Sequence, residues 1–197
     1  MKKVIDGLVE IIKAEGLTKV NVLGHSLGAG VAHILVRLHP ELVDKLVLDG
    51  FGLYTWGHVL AARVFLGLPL PILKAYYRRA IRRLLSGAEN GEEALTAAYF
   101  EDLVNNLSGE SFKAQMSLLL DIFDGAEEYR VREPVRVGGG ALLILADDDR
   151  GFSGEEREAL KRTYPEALVR TFSSGGHLSG ITHEREFASI VDEFLQG

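Results

Sequence analysis

The chain has no cysteine, which removes disulfides, thiolate metal sites and a cysteine nucleophile from consideration. Positive charge is also short. The 22 Lys and Arg residues stand against 28 Asp and Glu, and the net charge of -6 argues against general nucleic-acid binding. Long apolar runs are missing too. Asp6 and Glu10 interrupt the N-terminal MKKVIDGLVEIIK, which counts against a signal peptide. The stretch Gly50 to Leu73 has Arg63 as its only formal charge, but Trp56, His58, Pro69, Pro71 and several glycines make it a poor bilayer helix. It reads better as a buried or lid-like segment, and the cytoplasm is the expected location. What remains is ordinary globular composition: 197 residues, 47% hydrophobic and 25% charged. Such a chain buries a core without covalent staples and forms one core domain with room for an insertion.

Periodicity supplies the order of elements. Val4, Ile5, Leu8, Val9, Ile11 and Ile12 recur at helical spacing, and Gly16 stops them. Val20 to Leu23 is a short strand of buried type, Ala29 to Leu38 a helix ending at Pro40, and Lys45 to Asp49 a second strand. Strand, helix and strand with short links predict a parallel α/β unit. No strand pattern appears from Phe51 to about Glu133. One helix there shows an apolar face of Tyr76, Tyr77, Ala80, Ile81, Leu84 and Leu85, with Arg78, Arg79, Arg82 and Arg83 on another face. Glu92 to Leu107 and Ser111 to Phe123 are helical in period as well. The α/β pattern returns with a strand at Ala141 to Ala146, a helix at Glu155 to Thr163, a strand at Ala167 to Phe172 and a last helix at Glu184 to Leu195. The expected organisation is an α/β core (1–50 and 134–197) interrupted by a helical insertion (51–133), longer than an ordinary loop.

Charge divides that insertion. Arg63, Lys74, Arg78, Arg79, Arg82 and Arg83 face no acid between Phe51 and Ala88, whereas Lys113 is the lone base in the acidic stretch from Glu89 to Glu128. The favoured reading is two helical halves whose charged faces are solvated or meet each other. The sharper alternative is a basic amphipathic helix that touches a lipid or acidic surface.

The chemistry concentrates in Gly24-His25-Ser26-Leu27-Gly28, a G-x-S-x-G that leaves a strand and opens a helix. In that setting the turn strains the serine backbone and projects the hydroxyl above a helix N-terminus, where developing negative charge is favoured. Small residues two before and two after the serine are expected to leave it room. A phosphate-binding turn is the other reading of such a passage, but the Lys-Ser/Thr of a P-loop and a G-x-G-x-x-G are both absent. A serine needs a base and an orienting acid to be nucleophilic at neutral pH. Asp147-Asp148-Asp149 ends the strand at Ala146, and His177 follows the next strand in Ser173-Ser174-Gly175-Gly176-His177-Leu178.

These three segments together resemble the α/β-hydrolase family, in its lid-bearing serine esterase and lipase group. GHSLGAG is similar to that family's nucleophile elbow, LLILADDDRGFS to its acid turn, and SSGGHLSGITHEREFASIVDEFL to its histidine loop and final helix. The resemblance covers nearly the whole chain and implies a parallel sheet of about four strands with a helical cap inserted. It also implies a triad of Ser26, Asp149 and His177. Asp149 takes the family's aspartate position, with Ala146 where glycine is usual; Asp148 is the main rival. Asp49 occupies an alternative acid position used by some relatives, and a helix or turn cap is its plainer role. His25 is a common neighbour of the nucleophile that supports the turn. Packing or capping suits His33 and His39, His183 is expected at the surface, and His58 is a candidate for lining an acyl pocket. No histidine pair has metal-ligand spacing, and no cofactor is implied.

Relative to the family, the resemblance starts one helix before the elbow. Members carry several earlier strands and an HG-type oxyanion loop, and this sequence contains no His-Gly pair. Gly138-Gly139-Gly140 comes too late in the chain to replace it. The expected oxyanion donor is the Leu27 N–H, and losing a second donor typically costs about 10²–10³ in kcat. Family order also places Val20 to Leu23 at an open sheet edge, where association with a second copy or an N-terminal companion is expected. The function implied is hydrolysis of carboxylic esters with an apolar part. Trp56, Phe65, Tyr76 and Tyr77 in the cap favour an apolar substrate, and the serine elbow argues against the aspartate chemistry of epoxide hydrolases and dehalogenases. The alternative is a catalytically silent fragment that serves as an interaction module or needs an N-terminal companion. A third reading has the lid dock on membranes through Arg78 to Arg83.

Overall fold

The structure, a computed structural model, describes residues 1–84, 102, 105, 106 and 108–197. In chain order its elements are α1 (Lys2–Ala14), β1 (Val20–His25), α2 (Leu27–Leu38), β2 (Val43–Asp49), α3 (Trp56–Leu66), α4 (Leu70–Leu84), α5 (Gly109–Asp124), β3 (Ala141–Ala146), α6 (Gly154–Thr163), β4 (Leu168–Phe172), α7 (Ser179–Thr182) and α8 (Glu184–Gln196). The strands are all parallel and ordered β1-β2-β3-β4. Parallel neighbours cannot be joined by a hairpin, so each link crosses over through helix. The crossover from β2 to β3 is the long one and contains α3, α4 and α5.

Side chains alternate across the sheet, and the alternation builds two cores. Leu46, Leu48, Ala141 and Leu143 pack with Ile5, Ile34 and Phe51 on one face. Val47, Leu142, Ile144 and Ala146 pack against Phe187, Ile190, Val191 and Phe194 of α8 on the other. Helices therefore cover both faces of β2 and β3, which is why β3 reads as an unbroken apolar run. This is the expected α/β architecture.

β1 departs from expectation in one respect. It does lie at the sheet edge, but it is not a buried strand. Only Gly24 is buried and Leu23 is 49% exposed, because the strand pairs with β2 alone. Of the apolar face expected for α4, Tyr76 is 57% exposed, whereas Leu73 is buried and Leu70 packs where Gly109 has no side chain. The side chains of Tyr77, Ala80, Ile81 and Leu84, Leu85 itself and most of the expected helix from Glu92 to Leu107 lie outside the described residues. Among the described residues no helix is long and apolar enough to cross a membrane.

Two polar devices fix the frame around the sheet. Ser153 and Glu156 form a capping box at the start of α6, and the buried Glu156 also accepts the Thr55 N–H at 2.9 Å. The segment leaving β2 is thereby fastened to the helix that follows β3. In α2, the buried His33 places Nδ1 2.7 Å from the Tyr164 hydroxyl and Nε2 3.0 Å from the Val131 carbonyl. The Val131 carbonyl only accepts, whereas the Arg37 Nε–H, 3.3 Å from the same Nε2, only donates; the shorter contact puts the proton on Nε2, and Tyr164 donates to Nδ1. Burial first, and Arg37 second, hold the His33 pKa down at about 3 despite the Val131 bond. A neutral imidazole thus stitches α2 to the chain after α5 and to the end of α6.

Candidate active site

Parallel strands put all their carboxyl ends on one side, and that side carries the site. Ser26 follows β1, Gly50 follows β2, Asp147 to Asp149 follow β3, and the loop from Ser173 to His177 follows β4. Ser26 sits at φ 52 and ψ -116 as the N-cap of α2. This is strained ground for a residue with a Cβ, and it persists only because the surroundings impose it. The Ser26 N–H donates to the Asp49 carbonyl at 3.0 Å, and its own carbonyl accepts from Gly30 at 3.1 Å. At Gly24 a Cβ would lie 2.5 Å from the Gly28 carbonyl oxygen and 2.7 Å from the Ala29 Cα, so only glycine fits. The matching expectation for Gly28 is not met. Nothing lies within 4 Å of a Cβ there, since that residue faces outward.

The hydroxyl of Ser26 lies 2.8 Å from Nε2 of His177, and Nδ1 of the same ring lies 3.1 Å from Oδ2 of Asp149. A carboxylate can only accept, so Nδ1 carries the proton and Nε2 is free to accept from the serine. The other oxygen of Asp149 accepts the Gly151 N–H at 2.6 Å, and its side chain is 3% exposed. Burial pushes the Asp149 carboxyl up. The hydrogen bond and charge of His177, the Gly151 N–H and Arg157 together outweigh that push and hold it below the usual carboxylate range. Arg157 also donates to the Asp149 and Phe152 carbonyls at 3.1 and 2.6 Å.

A family model for the alpha/beta hydrolase fold matches residues 2–184. The chain belongs to that family. It is 22% identical over 187 residues to the sn-1-specific diacylglycerol lipase of Mus musculus, covering 91% of this chain. A structure of a thermophilic esterase superposes with a TM-score of 0.67 at 25% identity, covering 92% of this chain and 68% of that one. The esterase from Exiguobacterium antarcticum gives 0.74 at 18% identity, covering 98% and 72%, a likeness of fold. The chain spans about three fifths of the length of two of its relatives: 60% of the mouse enzyme and 58% of a Haemophilus influenzae protein.

The remaining expected residues of this α/β-hydrolase have distinct positions. Asp148 does not touch His177; it accepts the Gly176 N–H at 2.9 Å. Asp49 neither bonds to His177 nor caps a helix. Its Oδ2 lies 2.7 Å from Nδ1 of His25. His39 ends α2 and sits 3.3 Å from Glu41. His183, expected at the surface, is half-buried. Its ring stacks on Phe172 at 4.9 Å and its Nε2 donates to the Ser174 carbonyl at 3.0 Å. The side chains of Trp56, His58, Phe65 and Tyr77 lie outside the described residues. Leu27 opens α2, where a first-turn N–H has no intrahelical acceptor. Gly138 to Gly140 turn into β3 at the far end of the sheet. A cavity of about 340 Å³ opens at that far end too, between Lys45, Glu166, Arg170 and Phe194, and Ser26, Asp149 and His177 do not line it.

Three residues of the site were not anticipated. Gly151 packs close under the imidazole, where a Cβ would come 2.9 Å from His177 Nδ1 and displace it. Phe152 sets its ring 6.0 Å from that of His177. Gly50 turns the chain after β2 at φ +54. The glycine two residues past Asp149 was the signal available in the sequence. Among the described residues, no group of three or more His, Asp or Glu side chains could hold a metal ion.

Proposed function

We propose that the chain is a serine hydrolase that cleaves carboxylic esters bearing an apolar part, with Ser26 as nucleophile, His177 as general base and Asp149 as orienting acid. One observation carries this reading: the unbroken chain of contacts from the Ser26 hydroxyl through both nitrogens of His177 to a buried carboxylate. As Ser26 Oγ attacks the ester carbonyl, its proton passes to His177 Nε2, and Asp149 stabilises the imidazolium through Nδ1–H. The tetrahedral oxyanion takes the Leu27 N–H at the positive end of α2. His177 then gives its proton to the leaving alkoxide, which departs and leaves an acyl-enzyme. Water, deprotonated by the same nitrogen, hydrolyses the acyl-enzyme and restores Ser26. His25, Gly24 and Gly28 complete the elbow. The names of the mouse lipase and the thermophilic esterase support an ester as substrate.

In this reading residues 51–133 are a cap over the site, and the apolar character of Phe51 to Leu73 favours an apolar acyl or alcohol group. The test is intact mass after treatment with a fluorophosphonate, with Ser26→Ala as control. A single adduct on the wild type and none on the variant is the expected result. No adduct on folded wild-type protein overturns the reading. That outcome would favour a catalytically silent interaction module, which the outward-facing Leu23 and Gly28 on either side of Ser26 also suit.

A further inference from the structure

We infer that His25 and Asp49 form a positioning pair that holds His177 against Ser26; the inference rests on the triad reading above. The two residues face each other across the register of β1 and β2, at the last rung of the ladder. Asp49 is a costly residue to keep there. Its side chain is 5% exposed, its Oδ2 bonds to His25 at 2.7 Å, and its Oδ1 is buried with no hydrogen-bond partner among the described residues. A buried carboxylate with an orphaned oxygen lowers stability, and an apolar residue would end the strand at less expense. The triad takes no proton from it, so its use lies elsewhere.

The surroundings indicate that use. The His25 ring lies 5.2 Å from the His177 ring at an angle of 51°. Gly50 makes this approach feasible. A Cβ on it would come 3.0 Å from Cε1 of His25 and 3.2 Å from the His177 carbonyl oxygen. On the histidine-loop side Gly180 faces Asp49, since a Cβ there would lie 3.3 Å from Oδ2. Meanwhile the backbone carbonyl of Asp49 takes the Ser26 N–H at 3.0 Å. One residue therefore anchors the nucleophile through its main chain and the base through the imidazole bound to its carboxylate. The separation of Ser26 Oγ and His177 Nε2 depends on both. Small errors in that separation are expensive, because proton transfer needs the two atoms within hydrogen-bond reach.

The test uses Asp49→Asn, His25→Ala and the double variant in the full chain. Fluorophosphonate labelling rate, kcat and KM on a chromogenic ester are measured for each folded protein. Each single variant should lower kcat and the labelling rate about 10- to 100-fold, with KM within about twofold. The double variant should be no slower than the worse single one, because both changes break the same linkage. Unchanged kcat and labelling in folded single variants overturn the inference, and so do losses that multiply in the double variant. If Asp49→Asn does not fold, His25→Ala alone carries the test, since its side chain is 36% exposed and an unchanged rate sinks the idea. A wild type that never labels overturns the triad reading and this inference with it. A wild type and variants that label equally overturn this inference alone.

Discussion

The Asp148 carboxylate accepts a hydrogen bond from the Gly176 N–H at 2.9 Å, which ties the turn carrying Asp149 to the loop carrying His177. Two adjacent aspartates thus reach the same loop, one at its backbone and one at its imidazole. Asp148→Ala is expected to lower kcat about tenfold by loosening the loop. Asp148→Asn should stay within about threefold of wild type, because its amide oxygen still accepts, although without the assistance of charge. Steady-state hydrolysis of a chromogenic ester separates the two. Equal losses would mean that the charge and not the hydrogen bond matters.

Gly24 and Gly28 flank the serine symmetrically in sequence but not in space. Gly24→Ala drives a methyl into the backbone of Gly28 and Ala29, and should cost about 1–3 kcal/mol of stability. Gly28→Ala meets open space on the first turn of α2, and should be neutral or stabilising by up to about 1 kcal/mol. Urea unfolding of the two variants gives the comparison.

Gly151→Ala should act on the chemistry and spare the fold. Its methyl would meet side-chain atoms, Nδ1 of His177 at 2.9 Å and Oδ1 of Asp149 at 3.0 Å, and both can yield. Stability should change by less than about 1 kcal/mol, whereas kcat should fall about 10- to 100-fold as the imidazole is displaced. Melting temperature and kcat measured on one preparation check both halves of the prediction.

His33 predicts a pH dependence of stability. Its pKa is about 3 in the folded protein against an ordinary 6.5, so the unfolded chain binds the proton more readily. The stabilisation is complete above about pH 6.5 and is lost progressively as pH falls toward 3. Asp149, whose carboxyl is also held low, adds a separate loss as pH falls through its folded value, below the ordinary carboxylate range. Urea unfolding across this range should show a flatter decline for His33→Gln than for wild type. Parallel curves would mean that His33 carries a proton in the folded state.

The parts of this fold that could be read from sequence are those governed by local period. β3 is legible because an unbroken apolar hexapeptide suits a strand covered on both faces, and α8 because Phe187, Ile190, Val191 and Phe194 recur on one side. The exposure of Tyr76 was not legible, because the side of α4 that turns inward depends on partners far away in the chain, such as Gly109 beside Leu70. The choice between Asp148 and Asp149 cannot come from spacing, since three adjacent carboxylates look alike until the turn aims each one. Family position pointed to Asp149, the residue that lies against His177. The pairing of His25 with Asp49 was invisible for a similar reason. It depends on strand register, which links residues 24 apart.

The contact between Ser26 and His177 joins residues 151 apart, and it requires β4 to have docked on β3. Contacts of such long separation form only after the loop-closure entropy of the parallel crossovers has been overcome, so they come late in folding. Collapse and helix formation precede them. Serine reactivity should therefore appear only as the last strand and its loop settle. Followed during refolding, gain of reactivity would time the end of assembly, where fluorescence or circular dichroism would time its beginning.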